Sequence, residues 1–278
     1  MVLAQLVINK AVKDSFANLI IRKEISRLYS HPEMELAKPL VKALACTLNN
    51  LLTPEERVLI DQIESLRRDL NESCREISIV DYGSHSPNNQ STDQEEESAA
   101  IVTKTIGEVC QTCSKRPIWA LLLFNLIREL KPSACLEMGT CLGISAAYQS
   151  AALEINNRGK LLSLEGSQSL AQVAQNNLEK LGITRTEIVV GKFQETLLHV
   201  AVEQSPLDFV FLDGHHDQQA TLNYFDQLFP FLANNAVCIF DDISWSIGMK
   251  KAWKSLVADE RIKLTVDLHN VGICVVDR

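Results

Sequence analysis

Apolar positions along the chain change rhythm near residue 99, and that change divides it. Over the first ~80 residues they recur at helical spacing, with no convincing strand. The clearest helix covers 53–70: Thr53 and Glu56 fit the S/T-x-x-E capping box and Pro54 suits the first helical position. Leu59, Ile63, Leu66 and Leu70 form its apolar stripe, and Glu64 four residues before Arg68 marks a solvated opposite face. Residues 83–98 are rich in Ser, Asn, Gln, Asp and Glu around Pro87, too polar to bury a core. The expected divisions are a helical segment over 1–82, a flexible linker over 83–98 and a main domain over 99–278.

In the main domain, short apolar runs alternate with amphipathic stretches. A helix over 117–130 is apolar nearly all round, hence buried. Strands are predicted at 134–138, 160–164, 187–190, 208–212 and 236–240, with helices near 143–157, 169–181, 195–203, 218–231 and 248–257. Two last strands, 262–267 and 271–276, are joined by His269 and Asn270 with no room for a helix, so they pair antiparallel. The expected fold is α/β: a seven-stranded, mostly parallel, doubly wound sheet with a C-terminal antiparallel hairpin, preceded by the helical segment.

The stretch Leu136-Glu137-Met138-Gly139-Thr140-Cys141-Leu142-Gly143-Ile144-Ser145 reads as a buried strand turning tightly into a helix. Its glycines let the backbone approach a nucleotide-like group, although an ordinary βα turn also uses glycine. Glu165, at the end of the next strand and ~20 residues further on, can accept hydrogen bonds from both hydroxyls of a ribose. The turn lacks the G-x-G-x-x-G pattern that cradles a pyrophosphate. A cofactor with ribose and adenine but no phosphate fits better, and S-adenosylmethionine has that chemistry, its sulfonium making the methyl electrophilic.

Composition narrows the partners. With 278 residues, 46% hydrophobic, there is ample material for a core, and no run has the length and purity of a membrane span. The N-terminus is broken by Lys10, Lys13, Asp14, Arg22, Lys23 and Glu24, unlike a secretory signal, so the expected compartment is the cytoplasm. A net charge of −8 argues against a broad nucleic-acid surface, and D-G-H-H after the fourth strand is not the N-P-P-Y or D-P-P-Y tetrad that presents an amino nitrogen. Of eight cysteines, only Cys110 and Cys113 form a C-x-x-C; without a second ligand pair it reads as packing.

The ordered set LEMGTCLGISA, LLSLEG, VVGKFQETL, FVFLDGHH and CIFDDISW resembles the class I (Rossmann-like) S-adenosylmethionine-dependent methyltransferases, most of all their small-molecule O-methyltransferase branch. The resemblance covers 99–276 and leaves the first 98 residues unexplained. It implies that Glu137, Gly139, Thr140, Gly143 and Ser145 surround the methionine part of the cofactor. It places Glu165 on the ribose, Gly166 and Ser167 beside the adenine, and Phe193 and Gln194 at adenine-contacting positions.

Asp213-Gly214-His215-His216 ends the fourth strand and Asp241-Asp242 the fifth, so three carboxylates can converge at the carboxyl edge of the sheet. Such an oxygen-rich cluster suits Mg²⁺ or another hard divalent ion. Catechol and caffeoyl-CoA-type enzymes resemble this arrangement, with two departures: Asp242 stands where they have Asn, and His216 where they have a catalytic Lys. Metal-independent relatives also carry acidic residues here, so both readings stay open. Asp213 is expected near the transferring methyl and His216 as general base, with His215 as its alternate. Trp245 and Trp253 are candidates for the acceptor pocket, or plain core.

The expected activity is methyl transfer to a small-molecule acceptor, at oxygen. Its rivals are a catalytically silent cofactor- or partner-binding module and a nicotinamide-dependent oxidoreductase. Residues 1–98 are expected to cover the acceptor site, dock a partner or form a homodimer.

Overall fold

The computed structural model describes residues 2–30, 37–81 and 100–278, with side chains from Ser15 onward, Asp81 excepted. The expected linker, 83–98, lies outside the described residues. Three helices come first: α1 (Val2–Tyr29), α2 (Ala37–Asn49) and α3 (Pro54–Asn71). Thr53 caps α3 through the full capping box with Glu56, as the sequence predicts.

The absence of a strand from the first ~80 residues does not hold. β1 (Glu76–Asp81) pairs antiparallel with β2 (Ala100–Thr105) across the expected domain boundary, in a two-stranded ribbon of its own. A short helix, α4 (Ile106–Cys113), follows and was also not anticipated; Thr105 and Glu108 form its capping box.

The remaining elements are α5 (Pro117–Leu130), β3 (Ala134–Met138), α6 (Ile144–Ile155), β4 (Lys160–Glu165), α7 (Gln168–Lys180), β5 (Thr186–Val190), α8 (Phe193–Gln204), β6 (Leu207–Leu212), α9 (Gln218–Leu228), β7 (Leu232–Asp241), α10 (Ile247–Val257), β8 (Ile262–Asp267) and β9 (Val271–Val276). The helix expected over 218–231 ends early: Pro230 has no N–H to donate, and Phe229–Phe231 finish as a 3₁₀ turn. The main sheet has seven strands in the order β5-β4-β3-β6-β7-β9-β8. All neighbours are parallel except β9, which runs antiparallel to both β7 and β8. Strand order reverses between β3 and β6, and the crevice above their carboxyl ends is where open α/β sheets bind ligands.

Both faces of the sheet are buried, and the period of two sorts its residues. Cys135, Leu161, Phe209, Phe211, Val237 and Ile239 face one core with Leu122, Leu126, Ala147 and Ala151; Leu136, Met138, Leu162, Val210, Leu212 and Phe240 face another with Leu197, Tyr224, Phe225 and Leu256. The N-terminal helices join the first core through Ile21, Leu40, Leu44 and Ile63. Burying each such side chain contributes about 1.5–3 kcal/mol, so this segment is part of the domain's stability. Polar ties reinforce the packing: Arg128 pairs with Glu56 at 3.0 Å, and the Tyr148 hydroxyl donates to Glu64 at 2.8 Å. Among the described residues no helix is long and apolar enough to cross a membrane.

Candidate active site

At the end of β3 the chain turns through Gly139 (φ +98°), Cys141 (φ +50°) and Gly143 (φ +82°), which begins α6. A Cβ on Gly139 would sit 2.3 Å from the carbonyl oxygen of Asp213, so only glycine lets the β3 and β6 ends come this close. The other two strand ends are also bent into the left-handed region, at His215 (φ +45°) after β6 and Asp242 (φ +50°) after β7. Backbone held there costs about 1–3 kcal/mol and tends to mark functional positions.

These ends enclose a cavity of about 380 Å³, within the usual range for small-ligand sites. Of the residues expected to hold the cofactor, Gly139, Thr140, Ser145, Glu165, Gly166, Phe193, Gln194 and Asp213 line it. Glu165 accepts the N–H of Cys141 through Oε2 and that of Ser167 through Oε1, each at 2.8 Å. The Gly166 N–H also bonds to this carboxylate, so of its roughly four lone-pair sites about one is left for a ligand hydroxyl. Burial raises the pKa of Glu165, against the lowering effect of these backbone donors.

Three expected cofactor residues stand outside the wall, each for a physical reason. Glu137 lies on the buried face of β3, beneath the turn, where its carboxylate accepts from Gln149 Nε2 at 2.6 Å and Ser163 Oγ at 2.5 Å. Burial pushes its pKa up to about 7, with hydrogen bonds from Ser163, Ser145 and Gln149 acting the other way. Gly143 packs against Ala174 of α7. Ser167 is buried and its Oγ accepts the N–H of Val80 at 3.4 Å, which docks the β1–β2 ribbon.

The two histidines part company. His215 Nδ1 lies 2.6 Å from the Tyr224 hydroxyl with the rings stacked, and Phe193 meets both edge-on. His216 turns Nε2 towards the acidic cluster, 3.6 Å from Asp213 Oδ1 and 4.0 Å from Asp242 Oδ2. Of the expected metal ligands, Asp213 and Asp241 do converge, and His216 joins them with ligand atoms all within 4.8 Å of one another; Asp242 is not in this trio. Trp245 is on the cavity wall and half exposed, whereas Trp253 is buried against Phe240 and donates to Asp267.

Sequence reasoning missed the cation at the centre. Lys115, in the turn between α4 and α5, places Nζ 3.0 Å from Asp213 Oδ2 and in short contact with Asp241 Oδ2. Burial acts to strip its proton, but attraction from Asp213, Asp241 and Asp242 outweighs this and its pKa stands above the ordinary lysine value. Asp242 is raised to about 6 by burial and by the charge of Asp241. Asp213 is raised by burial and by Asp241, whereas for Asp241 the pull of Lys115 and His216 outweighs burial and lowers it. Ile79, Val80, Val102 and Lys104 of the ribbon, and Val109, Thr112 and Cys113 of α4, complete the wall.

Comparison with known proteins agrees with this geometry. Residues 136–243 match a family model described as a methyltransferase domain. The catechol O-methyltransferase of Niastella koreensis is 26% identical over 152 residues, spanning 54% of this chain and 67% of that protein. The O-methyltransferase from Bacillus cereus, solved in complex with SAH, superposes with a TM-score of 0.52 at 22% identity, covering 60% of this chain and 84% of the other. SAH-bound PaMTH1 of Podospora anserina gives 0.51 at 16% identity, covering 82% and 98%. At those identities the two structures speak for the fold. The glycine turn, the sheet order and the matched region agree: residues 136–243 are similar to a methyltransferase domain and are set in a sheet with the class I methyltransferase fold.

Proposed function

We propose that this enzyme methylates a hydroxyl oxygen of a small molecule, with His216 receiving the acceptor's proton. One observation carries the reading: a single cavity presents the glycine turn and Glu165 together with His216, Asp213 and Asp241. Cofactor-binding and proton-accepting groups therefore open onto the same space.

Glu165 would hold the ribose through the carboxylate lone pairs that its backbone donors leave open. Gly139, Thr140 and Ser145 would border the methionine part, and Gly166, Phe193 and Gln194 the adenine. Bound S-adenosylmethionine supplies an electrophilic methyl, whose bond to sulfur breaks with its electron pair on sulfur as the acceptor oxygen bonds to carbon. His216 Nε2 takes the hydroxyl proton, and Asp213, 3.6 Å away, stabilises the resulting imidazolium. His215 is engaged with Tyr224 and is the weaker candidate for that role. The cavity walls would align the reactants, where orientation supplies much of the rate.

The test is calorimetric binding of S-adenosylhomocysteine, followed by transfer of a labelled methyl to an acceptor panel led by catechols and simple phenols, with mass detection. The named catechol O-methyltransferase relative makes catechols the first choice. A protein that ignores S-adenosylhomocysteine ends the proposal; one that binds it but methylates only nitrogen acceptors overturns the oxygen assignment.

A further inference from the structure

We propose that Lys115 is the resident cation of this active site, its ammonium standing where a divalent ion was expected, so that the enzyme binds no metal there. The inference rests on the proposed methyl transfer for its purpose, but on geometry for its content. The two carboxylates that would bridge an ion instead converge on one Nζ, at 3.0 Å from Asp213 and in short contact with Asp241.

The lysine is built into the position from several sides. Ser114 closes α4 and Pro117 opens α5, so Lys115 sits in a two-residue gap with Arg116 between fixed helix ends. Its carbonyl accepts from Arg67 at 2.7 Å, which ties the turn to α3. Its Nζ lies 5.6 Å from the ring centroid of Phe211, and the side chain is only 10% exposed. Phe211 precedes Asp213 on the same strand end, so one segment supplies both the aromatic face and a carboxylate.

The chemistry of the donors explains how an ammonium can serve. Lysine carries three N–H bonds, and Asp213 and Asp241 engage two of them. The third is available to the cavity that Lys115 lines. An acceptor oxygen receiving that hydrogen bond becomes more acidic, as it would on a Lewis acid, and His216 stands beside the same carboxylate to take its proton. Mg²⁺ asks for near-octahedral oxygen coordination, and a second cation of higher charge between these carboxylates would meet the lysine's repulsion.

The test separates metal binding from cofactor binding. Full-length protein is titrated with Mn²⁺ and followed by electron paramagnetic resonance, with and without S-adenosylhomocysteine, alongside Lys115→Met and Lys115→Arg. Wild type should leave Mn²⁺ free in both conditions, and its methyl transfer should be unchanged by EDTA. Lys115→Met, with the carboxylates released, should gain Mn²⁺ affinity on the order of tenfold or more. Lys115→Arg, which keeps the charge, should not. Tight Mn²⁺ binding by wild type overturns the proposal, as does a Lys115→Met protein that still binds S-adenosylhomocysteine but gains no Mn²⁺ affinity. If Lys115→Met does not fold, the wild-type titration decides alone. Failure of wild type to bind S-adenosylhomocysteine would instead strike the methyltransferase reading.

Discussion

His215 Nδ1 and the Tyr224 hydroxyl are 2.6 Å apart, which engages one of the two adjacent histidines on the cavity wall with a neighbouring side chain. His216 is left beside Asp213 at the cavity. His216→Gln should therefore lower kcat by roughly 10²–10⁴-fold, the usual contribution of a general base, with little change in S-adenosylhomocysteine affinity. Tyr224→Phe should cost less than tenfold. Steady-state kinetics on both variants checks the division; equal losses would mean that the pair acts together.

Glu165 has two duties, anchoring the turn through Cys141 and offering its remaining lone pairs to a ribose. Glu165→Ala should weaken S-adenosylhomocysteine binding by about 10–100-fold, the range for hydrogen bonds to a charged group. Calorimetry reads this directly, and an unchanged Kd would remove Glu165 from the cofactor site.

Gly139 has a conformational duty with a steric one behind it. Gly139→Ala places a methyl 2.3 Å from the Asp213 carbonyl at a φ of +98°. The backbone conformation alone costs about 1–3 kcal/mol, and relieving the clash would part β3 from β6. We expect a lower Tm together with loss of cofactor binding. A variant with wild-type Tm and Kd would show that the turn can be redrawn.

Glu137 gives a pH signature. Its folded pKa, pushed up to about 7 by burial, exceeds the ordinary value of 4.5, so the folded state binds the proton more tightly than the unfolded chain. Stability from this group is complete below the unfolded pKa and is lost as pH rises from 4.5 through about 7. The loss is about 3–4 kcal/mol at most, since each pKa unit is about 1.4 kcal/mol. Glu137→Gln has no such titration. Its amide can also serve Gln149 Oε1, which is buried without a hydrogen-bond partner. Denaturant unfolding at pH 5 and pH 8 should show wild type losing stability relative to the variant; parallel behaviour would contradict the shift.

The inner strands of the sheet were legible because they are buried on both faces. Ala134–Met138 and Val271–Val276 have the predicted bounds, since buried apolar runs of that length have few other fates, and Ile262–Asp267 has them through its alternation, with Leu264 and Val266 buried. The ribbon was not legible: Ile101 is 77% exposed, and no residue of β2 is buried, so its alternation carries no core signal. Motif residues at strand ends were found where turns are sharp, at Gly139, Glu165 and Asp213. Glu137 lies off the cavity wall, on the buried face of β3 with Ser163 and Gln149. Lys115 belongs to no motif. Its one local signal was the capping box at Thr105 and Glu108 with Pro117 beyond it, which brackets a short helix and the turn that aims the lysine.

The ribbon formed by β1 and β2, pinned to α7 by Ser167 and Ser169, has a practical consequence for anyone trimming this gene. A fragment cut to the recognisable region, 136–243, would retain nearly all of the signature residues and discard Lys115, α4 and one side of the chamber. Heredity of the motifs and integrity of the catalyst are thus stored in different stretches of polypeptide. A fragment that keeps the whole wall has to begin upstream of the strand at residue 76.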